Sequence, residues 1–309
     1  MNTSPGAGAL LKILLVLTAV VVAACLMAPP VYWSLTRLVT GTPLEWLADF
    51  PFYRYFSRTI QVTALIAVVP TLFWIGIWRP SELGLLPNSA RWKDLGAGLA
   101  AAFIPACALG TAYIGLEIFR MRDGWSLSPL VKILFTACAV ALVEEFLFRG
   151  ILLGLAVRAW GALRGAVFSS VLFAVVHFLR PAKAGTDSVT WSSGFAQIAA
   201  IADDLPTWPV LLWALVTLFA AGFLLAGATL RTRSLWLAIG LHAGWILGQQ
   251  GLNAVAKFRV KPPDELLPWV GPSLVSGAVP TGLAPLLALA VAAAATALYL
   301  RFLRRERTD

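Results

Sequence analysis

The chain has 309 residues, 59% of them hydrophobic and 13% charged, with 13 Trp, a formal charge of +9 and a mean hydropathy of +0.81. So apolar a composition excludes an ordinary soluble domain. The charge does not point to nucleic acid either, because the basic residues are scattered over short connections between apolar runs, where membrane topology needs them. A spanning helix takes about 20 mostly apolar residues. In chain order the expected spans are 10–28, 60–78, 95–118, 130–154, 163–179, 209–230, 234–250 and 283–303. The expected fold is therefore all-α, a polytopic membrane helix bundle of about eight transmembrane helices.

After the first span, Pro29 and Pro30 are expected to break the helix. Residues 31–59 mix Trp33, Trp46, Tyr53 and Tyr55 with Arg37, Arg54 and Arg58, a composition suited to the bilayer interface. The connections 79–93, with helix stops at Pro80 and Pro87, and 119–128 are too short for a separate soluble domain. One integral membrane domain over 1–309 is the economical organisation. Between Arg180 and Pro209, Trp191, Phe195, Ile198, Ala202 and Leu205 recur at spacings of four and three, while Ser192, Ser193, Gln197, Asp203 and Asp204 take other positions. That pattern predicts an amphipathic helix over 190–205, either a lid or guide at the membrane surface or a purely structural helix.

Cys25, Cys107 and Cys138 all fall within expected spans, which suits packing and neither a disulfide framework nor CxxC-type metal binding. Val22-Ala23-Ala24-Cys25 resembles a lipoprotein processing box, but only Lys12 supplies charge ahead of it. The Arg-rich stretch Arg301 to Arg307 argues for an inside C-terminus, although the overall excess of Lys and Arg on that side is thin.

The chemistry-bearing feature is Glu144-Glu145-Phe146-Leu147-Phe148-Arg149, inside the apolar run 130–154. An ionised side chain at mid-membrane costs about 2.5 to 3.5 kcal/mol even on the lenient insertion scale, so three in six residues must face a protein interior. At 100° per residue Glu145 and Arg149 share a helix face with acid before base, while Glu144 lies about 140° from Arg149 and escapes the pair. Arg149 is then expected to neutralise and fix Glu145. Glu144 is left to face a cavity, where a carboxylate can take a proton from water. The only two histidines, His177 and His242, also fall within or at the end of expected spans. One such histidine is usually a hydrogen-bonded core residue, but two beside an acidic pair read as a site.

These residues resemble the CAAX-protease and bacteriocin-processing family of intramembrane endopeptidases, also called the abortive-infection family, which includes the type II CAAX prenyl endopeptidases. Glu144, Glu145 and Arg149 match its first motif, two glutamates, three residues and an arginine. Phe173 and His177 match the second, and His242, after Arg231 to Leu241, matches the third. The motif-bearing core covers 130–253. The resemblance implies hydrolysis of a peptide bond within the membrane by a glutamate-activated water. Glu144 would be the general base, His177 would position or polarise the water, and His242 would stabilise the oxyanion, with Glu145 and Arg149 as structural support. The implied partners are the lipid bilayer and a membrane-embedded or lipidated peptide or protein, and the implied location is a multi-pass position in a membrane, the cell membrane if the source is bacterial.

The chain departs from the pattern at Ile246, where the family commonly has an asparagine that shares the oxyanion role. Gln249 and Asn253 continue the His242 face and are the possible substitutes; equally, they are polar residues at a helix end. No cofactor is expected, yet zinc is not excluded, since Glu144, His177 and His242 would supply a His2Glu set with an open fourth position. A further alternative is non-enzymatic, a family member acting in binding or proton-coupled transport.

Overall fold

The computed structural model describes residues 5–76, 90–124, 128–179, 188–203, 205–259, 266–271 and 281–305. Pro80, Pro87, Asp204, the segment 180–187 and Arg307 lie outside the described residues. The architecture is all-α apart from a two-stranded ribbon, and its contacts divide the chain into two compact units. One comprises residues 1–78 and 176–205, the other 79–175 and 206–309.

In the first unit, α1 (Pro5–Val39) packs on α2 (Phe52–Trp74), with a 3-10 turn at Glu45–Leu47 between them. Ala24, Cys25, Ala28, Phe52 and Phe56 form the buried contact, and Tyr32 meets Phe52 and Tyr55 edge-on. Lys12 Nζ donates to the carbonyl of Trp74 at 3.0 Å, so the two helices run antiparallel. Pro29 and Pro30 do not end α1, contrary to expectation; they sit inside it, with Pro29 fully buried. A helix in an apolar setting tolerates proline when neighbouring elements support the freed backbone. The neighbour here is α7 (Ser193–Ala199), whose Gly194 lies directly against the Cys25 carbonyl, four residues before Pro29.

The amphipathic helix expected over 190–205 is thus the shorter, seven-residue α7, whose small and polar residues are the more buried. Ser193, Gly194 and Gln197 are buried, whereas Trp191 and Phe195 are exposed. Small and polar groups permit close approach to α1, and large apolar ones are left outward, which suits a lipid surround.

The second unit is built around α9 (Trp236–Val255), buried nearly all round. Against it lie α3 (Arg91–Gly115), α4 (Ser128–Glu145) and α8 (Trp208–Thr232). Gly98 meets the Leu237 carbonyl, Gly240 meets the Leu95 carbonyl, and Gly110 meets Leu252, so α3 and α9 run parallel at backbone contact. Gly240→Ala should therefore lower the unfolding midpoint. Helix propensity would favour alanine by about 0.5–1 kcal/mol. Overpacking costs about 1–3 kcal/mol, and a helix carbonyl cannot rotate away, so the clash wins. Gly96→Ala, where nothing stands within 4 Å, is the paired control and should be neutral or stabilising. Equal midpoints for the two variants would contradict the close approach.

From Glu145 the chain continues through a π-helix, Phe146–Leu153, into α5 (Gly154–Trp160), then α6 (Ala162–Val176). The last helix is α10 (Leu283–Arg305). Strand β1 (Phe119–Met121) pairs antiparallel with β2 (Ala256–Phe258), Phe119 opposite Phe258. Three-residue strands leave too little alternation to be read from sequence.

Five described helical segments are long and apolar enough to cross a membrane, Leu10–Val39, Phe52–Trp74, Arg91–Gly115, Trp208–Thr232 and Leu283–Phe302. The other three expected spans are helical but fall short of that measure. The run 130–154 carries Lys132, Glu144, Glu145 and Arg149, α6 is only 15 residues long, and α9 contains His242, Gln249, Gln250 and Asn253.

Candidate active site

Glu144 and Glu145 are the last two residues of α4, and the π-helix begins at the next residue. A π segment closes i→i+5 hydrogen bonds and so turns more slowly than the 100° assumed from sequence; such insertions often mark functional sites. Glu145 is fully buried, while the Glu144 side chain keeps 29% exposure. Of the two carboxylates, only Glu144 is placed to meet something arriving from outside the unit.

Arg149, within the π-helix, is buried. Its Nη1 donates to Glu145 Oε1 at 3.0 Å and its Nη2 to the Gly222 carbonyl of α8 at 3.2 Å. The guanidinium also stands 4.3 Å from the ring centroid of Phe173, on α6, a cation–π distance. Ser169, one turn earlier, donates to the Phe148 carbonyl at 3.1 Å and so ties α6 to the π-helix. A buried guanidinium needs such a ring of partners, since its desolvation would otherwise outweigh its attraction to one carboxylate.

His242 joins the two glutamates. Its Nδ1 is 2.8 Å from Glu145 Oε1, the oxygen that also accepts from Arg149, and its Nε2 is 3.8 Å from Glu144 Oε2. The Phe173 ring lies edge-on to the imidazole at 5.8 Å. The hydrogen-bond network assigns the Nδ1 proton toward Glu145, which fixes the ring and turns Nε2 toward Glu144. Glu145 thus supports two partners, Arg149 and His242. The second lies 97 residues away, beyond the reach of helix periodicity.

The structure therefore gathers Glu144, Glu145, Arg149 and His242 in one cluster. His177 lies on the first unit's side of the chain division. It is half-buried, immediately after the end of α6 and one turn beyond Phe173. Ile246 is buried in an apolar cluster with Ala137, Ala141, Leu235, Ile239 and Ala243.

Gln249 and Asn253 lie about 10 and 16 Å beyond His242 along α9. Gln249 is buried and lines a cavity of about 20 Å3 with Tyr113, and its Nε2 has no hydrogen-bond partner among the described residues. Asn253 is half-buried at the end of α9, where its carbonyl accepts from Arg122 Nε at 2.9 Å. Among the described residues, no three His, Cys, Asp or Glu side chains gather into a set that could hold a metal ion. The contributions of Ser169, Phe173 and Gly222 to the arginine pocket were not legible as such. Only Phe173 carried a signal, its place in the second motif.

Residues 126–247 match the family model of the type II CAAX prenyl endopeptidases, Rce1-like. Over that segment the chain is similar to the CAAX-protease family. No curated protein and no solved structure matches it. The matched segment begins just before α4 and ends within α9, so it contains the whole cluster and Ile246, while Gln249 and Asn253 fall beyond it. Similarity to a family of membrane proteases agrees with the five long apolar helices among the described residues, and the chain is an integral membrane protein.

Proposed function

We propose that the chain is an intramembrane endopeptidase that hydrolyses a peptide bond of a membrane-embedded or lipidated substrate with a water activated by Glu144. The observation that supports this reading is the imidazole of His242 held between the two carboxylates. The 3.8 Å between His242 Nε2 and Glu144 Oε2 is too long for a direct hydrogen bond, and the Glu144 side chain keeps part of its surface exposed, where a water can reach it. Glu144 takes a proton from that water, the oxygen adds to the amide carbonyl carbon, and negative charge develops on the carbonyl oxygen. Glu144 then returns the proton to the leaving amine as the carbon–nitrogen bond breaks.

His242 is the donor to the developing oxyanion. With Nδ1–H committed to Glu145, Nε2 can donate only from the protonated ring. In that state two carboxylates, one imidazolium and one guanidinium sum to no net charge, which suits an apolar surround. Glu145 and Arg149 position the imidazole and do not touch substrate. His177 is assigned to polarising the water on the strength of the family motif alone.

The test is cleavage of a lipidated C-terminal peptide by purified protein in liposomes. The rate is expected to be unchanged by EDTA or 1,10-phenanthroline. Loss of activity to chelators with recovery on adding zinc would replace this mechanism by a metal-dependent one. One observation favours a second reading: Ile246, where the family's asparagine donor usually stands, is packed in apolar core. A protein that binds its substrate without cutting it would fit that change, and would retain the lipidated peptide intact.

A further inference from the structure

Within the second unit, α8 and α10 leave between them a groove of about 740 Å3, within the range of ligand sites. Phe219, Phe223, Gly227, Leu286, Leu289 and Ala293 line its length. Arg231 and Arg301 line it as well, near the C-terminal ends of their helices. These two ends lie together. Tyr299 Oη donates to Asp94 Oδ1 at 2.7 Å, the adjacent Leu95 carbonyl touches Gly240 near the start of α9, and α9 begins only a few residues after α8 ends. One end of the groove therefore carries both guanidiniums, and its remainder is apolar.

Arg231 Nη1 stands 3.4 Å from where a side chain on Gly227 would begin, so its guanidinium folds back along α8 into the groove. Both arginines are exposed, and neither pairs with a carboxylate among the described residues. Asp94 also lines the groove, but it is buried and bonded to Tyr299. Arg91 and Arg233 flank the same end, which by the positive-inside rule is the cytoplasmic one.

We propose that this groove binds an anionic phospholipid, with the phosphate between Arg231 and Arg301 and an acyl chain along the apolar walls. Bulk lipid would fill any apolar furrow. Two guanidiniums with no carboxylate partner among the described residues, at its cytoplasmic end, select a net negative headgroup over a zwitterionic one, whose cationic part they would repel. The bound lipid braces α8, the helix whose Gly222 carbonyl accepts from Arg149.

The experiment uses the full chain reconstituted in vesicles of equimolar phosphatidylcholine and phosphatidylglycerol, then extracted for native mass spectrometry of retained lipid, with unfolding midpoints recorded in the same vesicles and in phosphatidylcholine alone. Wild type should retain phosphatidylglycerol and unfold at a higher temperature when it is present. Each arginine near an anionic lipid contributes a factor of about five, so R231Q/R301Q should retain about thirtyfold less. Ala293→Trp, which fills the groove and leaves both arginines, should lose retention too. Arg233→Gln, at the same end but outside the groove, should keep it.

Unchanged retention in R231Q/R301Q or in Ala293→Trp would overturn the proposal, as would an equal loss in Arg233→Gln, which would mark a general surface-charge effect. Inorganic phosphate should not raise the midpoint in phosphatidylcholine vesicles. If it did so as well as the lipid, the site would be one for a free anion. None of these readouts depends on peptide cleavage, so they stand apart from the proposed hydrolysis.

Discussion

Glu144→Gln should lower peptide cleavage by about 10²- to 10⁴-fold, the range that a positioned general base contributes, while leaving the amount of folded protein near that of wild type. Glutamine keeps the shape of the side chain and one acceptor oxygen, and removes its charge and its ability to take a proton. The partial exposure of Glu144 means that no fully buried charge is left without compensation. His242→Ala should abolish cleavage as well, but it also removes a donor to the buried Glu145 Oε1 and an edge contact with Phe173, so a modest loss of stability is expected beside the loss of rate. His177→Ala should lose rate without that loss of stability. The measurement is initial cleavage rate per folded molecule in liposomes, with folded protein quantified by monodisperse yield. Full activity in Glu144→Gln would remove the carboxylate from the chemistry and with it the proposed mechanism.

Arg149→Ala is expected to act on folding. It removes the guanidinium that neutralises Glu145, the bond to the Gly222 carbonyl and the contact with the Phe173 face. Breaking a buried pair by deleting one partner costs about 3–5 kcal/mol, because the other charge is left in a low-dielectric interior. That is a large part of the net stability of a typical domain, so the yield of folded protein should fall sharply. Adding Glu145→Gln to the Arg149→Ala background should recover part of the loss, since it removes the stranded charge, and the double-mutant cycle would report the coupling. An Arg149→Ala protein that purifies and unfolds like wild type would show that the π-helix and α8 hold together without this pair.

The acidic motif stood out in the sequence because ionisable groups are costly in an apolar run and therefore few. Glu144, Glu145 and Arg149 could be singled out from that cost alone, and the i, i+4 spacing sufficed to pair the last two. Their chemical surroundings were less accessible. Nothing in the local pattern links His242 to Glu145 across 97 residues. The 3.6-residue wheel, moreover, ceases to apply at Phe146, where the backbone widens to a π-helix. Gly222 looked like one more small residue in an apolar helix, yet its carbonyl is an acceptor for the buried arginine.

The prolines inside α1 and the orientation of α7 share a physical origin. Pro29 and Pro30 were expected to end α1 on rules drawn from helices in water, and the amphipathic pattern of α7 left open which of its faces would pack on the protein. Packing of Gly194 against the Cys25 carbonyl supports the backbone at the prolines, and it requires the small face of α7, not its large apolar one, to point inward. In a membrane the solvent no longer penalises exposed Trp191 and Phe195, so close packing decides which face is buried.

Composition and hydropathy were enough to establish an all-α membrane protein and to single out the motifs that carry its resemblance to a protease family, because the energies of burying charge and of solvating apolar surface depend on residue type more than on partners. The partnership of His242 with both glutamates, the aromatic and carbonyl cage around Arg149 and the basic-ended groove between α8 and α10 emerged only on folding. Each depends on distances between segments remote in the chain, and hydrogen bonds and ion pairs weaken steeply over the few ångströms that helix packing alone determines.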